Sequence, residues 1–294
     1  MTMTRQKLIH MVPLLDDKEV GAIVANRLLS IAIKDYGTIE TYYLKADMSD
    51  SVSVMLEKIL EKARCLQVSR QLGKMLASPE LDWLEILNTV ARLQYVNISS
   101  APERHFIKGV VNAIELEITP AQLNKTKICH LRNVIHSMYN FKPCSDCNAT
   151  EPGSLFFNDF LSMKKGHRIL VSLLYFVVAR QLNLPLVPYR LGSDIIFGVP
   201  VQKRIVAGKD ANDITDNRTC KIDFFVMPSQ NGKEISYNDI VKGIHENYLS
   251  VEDQFAVLNE HEVAKFYLEH LAGAYQKNKH FGVAEELYSL VATI

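Results

Sequence analysis

The sequence predicts an α+β fold, predominantly helical, in which a buried helix packs against a small antiparallel sheet between flanking helical modules. Three observations predict it. Residues 169–179 are apolar almost without interruption, and a helix that is apolar all round is buried on most sides. Residues 186–190, 195–199 and 221–226 are short β-branched and aromatic runs separated by turn residues, which read as antiparallel strands. On both flanks the apolar residues recur at helical spacing instead. One buried helix on such a sheet is an α+β core.

At about 1.5 Å per residue the central apolar run falls well short of a bilayer, so it is a core helix rather than a membrane span. Lys164, Lys165, Gly166, His167 and Arg168 precede it. Asn183 ahead of Leu184-Pro185 stops it, because a proline disfavours helix at the residue before it. Leu191-Gly192-Ser193-Asp194 then turns the first strand into the second, and a polar loop over 207–219 leads to the third.

The N-terminal part, 1–76, reads as helices. Two short ones fall over 6–34, broken by Pro13, with Asp16 or Asp17 as the N-cap of the second; another covers 51–75. An L-x-x-L-x-D-x-x-x-V texture, read through Met11, Leu14, Asp16 and Val20, resembles an armadillo or HEAT-type unit, and an ordinary helical hairpin closing a core is the alternative. Helices are also expected over 81–93, which contains Trp83, over 113–123 and 128–139, and after Ser236 over 237–244 and 251–258. In the last part, 246–294, Leu268, Leu271, Ala272, Tyr275, Ala284, Tyr288 and Val291 fall in the spacing of one tetratricopeptide repeat. A lone repeat must pack on preceding helices or on another chain.

The central part, 77–245, resembles the transglutaminase-like superfamily, and within it the bacterial SirB-type branch. The resemblance rests on Phe157-Asn158-Asp159-Phe160-Leu161, Gly166, Ser172-Leu173, Val178-Ala179-Arg180, Leu182-Asn183-Leu184-Pro185, the Gly192 turn and Ile222-Asp223. Active members carry a cysteine at the start of the helix, a histidine on the next strand and an aspartate on the one after. The helix N-terminus lowers the thiol pKa, the histidine takes its proton and the carboxylate orients the imidazole. In this chain the cysteine position falls on Arg168, where SirB-type proteins usually have proline. The histidine position falls on Ser193 or Asp194, and Asp223 alone matches. A guanidinium is no nucleophile, so the resemblance implies a degenerate, non-catalytic core.

Lys+Arg and Asp+Glu are both 33, so the net charge of zero argues against a nucleic-acid or anionic-membrane footprint. The N-terminal stretch is not a signal peptide, and the odd cysteine count (Cys65, Cys129, Cys144, Cys147, Cys220) fits reduced thiols and a cytoplasmic location. Cys144-x-x-Cys147, with Cys129, His130 and His136 upstream, offers a zinc reading; a plain loop is the simpler one, and no cofactor is expected. Lys164, Lys165, His167, Arg168 and Arg180 are the local excess of positive charge in the core. They read as a solvated face or as a site for an acidic group of a protein partner.

The sequence therefore points to a non-catalytic, protein-binding adaptor or regulator, with no small-molecule substrate expected. Two alternatives stand beside it. One is a thiol-dependent hydrolase or amide transferase with a displaced nucleophile, for which Cys220, three residues before Asp223, is the nearest candidate. The other is a zinc-stabilised binding module.

Overall fold

The computed structural model describes residues 5–144, 151–201, 221–246 and 254–294. The N-terminal part is helical: α1 (Arg5–Met11) runs through a 3-10 turn, Val12–Asp16, towards α2 (Gly21–Ala32), α3 (Tyr36–Lys45) and the long α4 (Asp50–Leu76). Asp17 does not cap α2 as a helix N-cap. Its Oδ1 accepts from the N–H groups of Glu19 and Val20, closing a turn just ahead of the helix, and Val20 takes the cap position. Leu8, Val12, Leu28, Ile39, Leu56 and Leu60 form the core of this part. The second half of α4, through Val68, Leu72 and Leu76, belongs to the main core instead.

The main core begins with α5 (Trp83–Ala91), which Asp82 caps by accepting from the Glu85 N–H. The following helix, α6 (Ala101–Glu115), lies earlier than the expected 113–123. Pro102 sits in its first turn, where a missing N–H costs nothing, and Pro120 falls in a turn beyond it. Next come α7 (Asn124–Arg132), continued by a π turn over Asn133–Met138, then β1 (Lys142–Pro143), α8 (Phe157–Met163), β2 (Lys165–Gly166) and α9 (Arg168–Gln181). Every residue of α9 from Ile169 to Ala179 is buried. Its one small polar side chain there, Ser172, donates to the Ile195 carbonyl oxygen at 2.8 Å. That bond satisfies a hydroxyl that burial would otherwise leave stranded.

The sheet follows as β3 (Val187–Leu191), β4 (Asp194–Pro200), β5 (Ile222–Met227) and β6 (Lys233–Ile235), then α10 (Tyr237–Glu246) and β7 (Phe255–Val257). Its order is β6-β5-β4-β3-β7, antiparallel throughout. Phe176 of α9 is wedged between Trp83, edge-on at 5.0 Å, and Phe197 of β4, stacked at 6.5 Å, so helix and sheet share one aromatic layer. The helix expected over 251–258 is corrected by β7. Its pairing with β3, Tyr189↔Val257 and Leu191↔Phe255, overrides a pattern too short to show a period.

The chain ends in an antiparallel pair, α11 (Glu260–Lys277) and α12 (Phe281–Val291). Asn259 and Glu262 form a reciprocal capping box at the start of α11. The pair does not close on itself: Leu268, Leu271, Leu287 and Leu290 join the main core, and α12 lies against α4. Among the described residues no helix is long and apolar enough to cross a membrane.

Candidate functional site

The start of α9 is a crossing point. Lys164 leaves α8 in the left-handed conformation, φ 60°, and β2 then pairs in parallel with β1 before α9 begins. Gly166 is required there, since a Cβ would lie 2.8 Å from the Phe160 ring. His167 is the N-cap: its backbone N–H donates to the Ser154 carbonyl, and its Nδ1 accepts from the Ile169 N–H at 3.3 Å. Arg168 is the first residue of the helix, with its side chain pointing towards the β3–β4 turn.

That turn needs Gly192, at φ 58°, and it sets Ser193 and Asp194 opposite Arg168. Arg168 Nε lies 3.0 Å from Asp194 Oδ1, and the guanidinium also donates to Ser193 Oγ. Ser229, just past the end of β5, donates to Asp194 Oδ2 at 3.4 Å. The Asp194 side chain is 16% exposed against 45% for Arg168, so the pair is a partly buried carboxylate under a half-exposed cation. Burial raises the Asp194 carboxyl above its ordinary range, against the opposing pull of Arg168 and the Ser229 hydroxyl.

Two histidines complete the cluster. The His270 ring, carried on α11, stands 5.7 Å from the His167 ring. His270 Nδ1 is 2.8 Å from the Phe266 carbonyl oxygen. Burial, then the neighbouring His270 and Arg168 charges, pushes His167 down to about 4. His270 is lowered too, first by burial. Both rings are therefore neutral at neutral pH, and His167, which accepts at Nδ1, carries its proton on Nε2.

The structure brings Arg168, Ser193 and Asp194 together and leaves Asp223 out. Asp223 is exposed near the opposite end of β5, next to the residues that pair with Val199 and Pro200. At about 3.4 Å per residue it lies roughly 20 Å along the sheet from Ser229. The resemblance groups it with the other triad positions; the antiparallel register puts Ser229 opposite Asp194 instead. Ser229 and His270 were missed from the sequence. The signal for His270 was a polar residue among Phe266, Tyr267 and Leu271 on a buried helix face.

The basic residues do not form one surface. Lys164 Nζ sits over the Phe106 and Phe141 rings at 3.7 and 4.5 Å, and burial lowers its pKa. His167 is buried, Lys165 is exposed on β2, and Arg180 is at the far end of α9, paired with Glu260. A cleft of about 790 Å³ opens beside that distant pair, lined also by Leu184, Pro188 and Leu258.

Of the cysteines, Cys65 is a buried free thiol that burial, with Glu286 and Glu61 nearby, pushes up to about 12. Cys129 is free and half-buried on α7. Neither is hydrogen-bonded to a histidine among the described residues. Cys144 is disulfide-bonded, which corrects the expectation of a reduced thiol at that one position. Its backbone N–H donates to the Gly166 carbonyl at 2.8 Å, so it stands beside the start of α9. Cys147 and Cys220 lie outside the described residues. Among the described residues no three His, Cys, Asp or Glu side chains converge as metal ligands. His136 Nδ1 is engaged by the Phe141 carbonyl oxygen at 2.8 Å, and His130 faces Glu117.

A family model described as the transglutaminase-like superfamily matches residues 103–268. No curated protein and no solved structure matches the chain.

Proposed function

Because the chain belongs to the transglutaminase-like superfamily over more than half its length, we propose that it is a non-catalytic member acting as a protein-binding adaptor or regulator. One observation carries this reading. The guanidinium of Arg168, the residue that the resemblance sets at the nucleophile's place, is engaged by Asp194 and Ser193. A positive charge at a helix N-terminus opposes the macrodipole, and the partly buried Asp194 offsets it. Among the described residues no free thiol stands at the helix start, and the two histidines are aimed at each other and at backbone carbonyls.

The binding side of the proposal draws on the flanks. The N-terminal helices expose large apolar side chains, Ile23 at 70% and Leu44 at 74%. The α11–α12 hairpin supports the tetratricopeptide-like reading, and the SirB-type assignment and a cytoplasmic setting go with the same proposal. Transamidation and peptide hydrolysis, assayed with a glutamine peptide and an amine donor under dithiothreitol, are expected to stay at background. Turnover that survives purification and disappears in Arg168→Ala overturns it.

A second reading has one specific observation behind it. Cys144 lies beside the α9 N-terminus by its hydrogen bond to Gly166, a closer displaced cysteine than Cys220 was expected to be. Reduction of its disulfide by an added dithiol would yield a thiol within reach of the helix dipole. Turnover appearing only under dithiothreitol and lost in Cys144→Ser selects this thiol-dependent reading over the adaptor.

A further inference from the structure

Away from α9, a cleft of about 820 Å³ lies between α3, α4 and the segment that follows α5. Tyr36, Glu40, Arg64, Gln67, Gln71 and Arg92 line it. Its size is that of a small-molecule site, about 300–1,000 Å³. Two guanidinium groups reach into it. Arg92 is anchored, with Nη1 3.0 Å from Gln71 Oε1 and Nη2 3.3 Å from Glu85 Oε1.

Arg64 is different. Half-buried, it makes no ion pair with a carboxylate among the described residues. Its Nε donates to the Tyr36 hydroxyl at 3.2 Å and its Nη2 donates to the same oxygen, while its Nη1 reaches only the Leu93 and Gln94 carbonyls, at 3.5 and 3.4 Å. These neutral acceptors hold the group in place without neutralising it, and two of them sit at the limit of hydrogen-bond distance. Arg92 holds Gln71 by its Oε1, which leaves the amide Nε2 unbonded among the described residues. Against these donors the lining carries one carboxylate, Glu40; Glu85, which pairs with Arg92 and Arg104, lies outside it.

We propose that this cleft binds a small organic anion bearing a phosphate or carboxylate group, with Arg64 and Arg92 receiving the anionic head and Gln71 donating beside them. A planar fork of donors suits either oxyanion. Tyr36 and Val68 offer the body of such a molecule an apolar wall. The site is separate from the α9 cluster and does not depend on the adaptor reading.

Calorimetric titration of the full chain with pyrophosphate and with citrate, at ionic strength matched with sodium chloride, tests it. At least one is expected to bind with a Kd below about 1 mM, and which one separates a phosphate from a carboxylate ligand. Arg64→Gln and Arg92→Gln should each weaken binding about tenfold or more. Glu40→Gln should tighten it, and because Glu40 makes no contact that holds Arg64, that variant keeps the test decisive if Arg64→Gln fails to fold. Absence of binding by both anions at millimolar concentration overturns the proposal. So do unchanged affinities in Arg92→Gln and Glu40→Gln.

Discussion

His167 and His270 face each other across the first turn of α9, one from the helix cap and one from α11, with ring centroids 5.7 Å apart. Burial outweighs the pull of Glu269 and Asp194 on His270, and Arg168 adds positive charge to the same corner. The contact is built for two neutral rings. Protonating either one places a charge in a buried site beside another cation.

That gives the chain a pH dependence with a definite sign. His167 falls from its ordinary 6.5 to about 4 on folding, so its contribution is complete above pH 6.5 and is lost as the pH drops from 6.5 towards 4. In that window the unfolded state binds more protons, and the loss from His167 is about 3 kcal/mol at the acidic end. Urea denaturation across that interval should show falling stability, with a shallower fall in His167→Gln. An identical slope in that variant would count against the neutral pair.

Arg168→Ala leaves Asp194 partly buried without its cation. Because the guanidinium is 45% exposed, solvent screens the pair, and the coupling measured by a double-mutant cycle with Asp194→Ala should be about 1 kcal/mol. The same cycle between Arg168→Ala and Asp223→Ala should give no coupling. A sizeable coupling to Asp223 would restore the triad register that the strand pairing rejects.

Gly166→Ala drives a Cβ to 2.8 Å from Phe160 Cδ2 and 3.2 Å from Leu170 Cδ1. Both partners are buried, so the overpacking should cost about 1–3 kcal/mol, read as a lower denaturation midpoint. Gly153→Ala, which meets nothing within 4 Å, serves as the control and should change little.

Tyr267 donates from a fully buried hydroxyl to the Leu155 carbonyl at 2.8 Å, tying α11 to the segment before α8. Tyr267→Phe removes the donor and leaves that carbonyl short of a partner. A loss of about 1–3 kcal/mol is expected, without change in the far-ultraviolet circular dichroism.

Much of the core was legible because its signals are local. The apolar run of α9 needed no partner to be read, and the Gly192 turn fixed where β3 ends and β4 begins. What was not legible depends on contacts distant in sequence. β7 is a strand because β3 is there to pair with it, and its three residues carry no period of their own. α3 went unread because its buried face is only Tyr36 and Ile39, too little for a periodic pattern. Asp223 stands apart from Asp194 because the resemblance matches residues along the chain, whereas the antiparallel register decides which end of a strand meets Asp194. Ser229 and His270 reach the site only through that register and through the return of α11, over a separation that spacing does not encode.

The helix α4 runs through two separate cores, Val52 to Ala63 serving one and Cys65 to Leu76 the other. It acts as a shared girder. The two cores cannot be melted independently: heat should collapse both in a single cooperative transition, and amides in the middle of α4 should exchange only when the whole molecule opens.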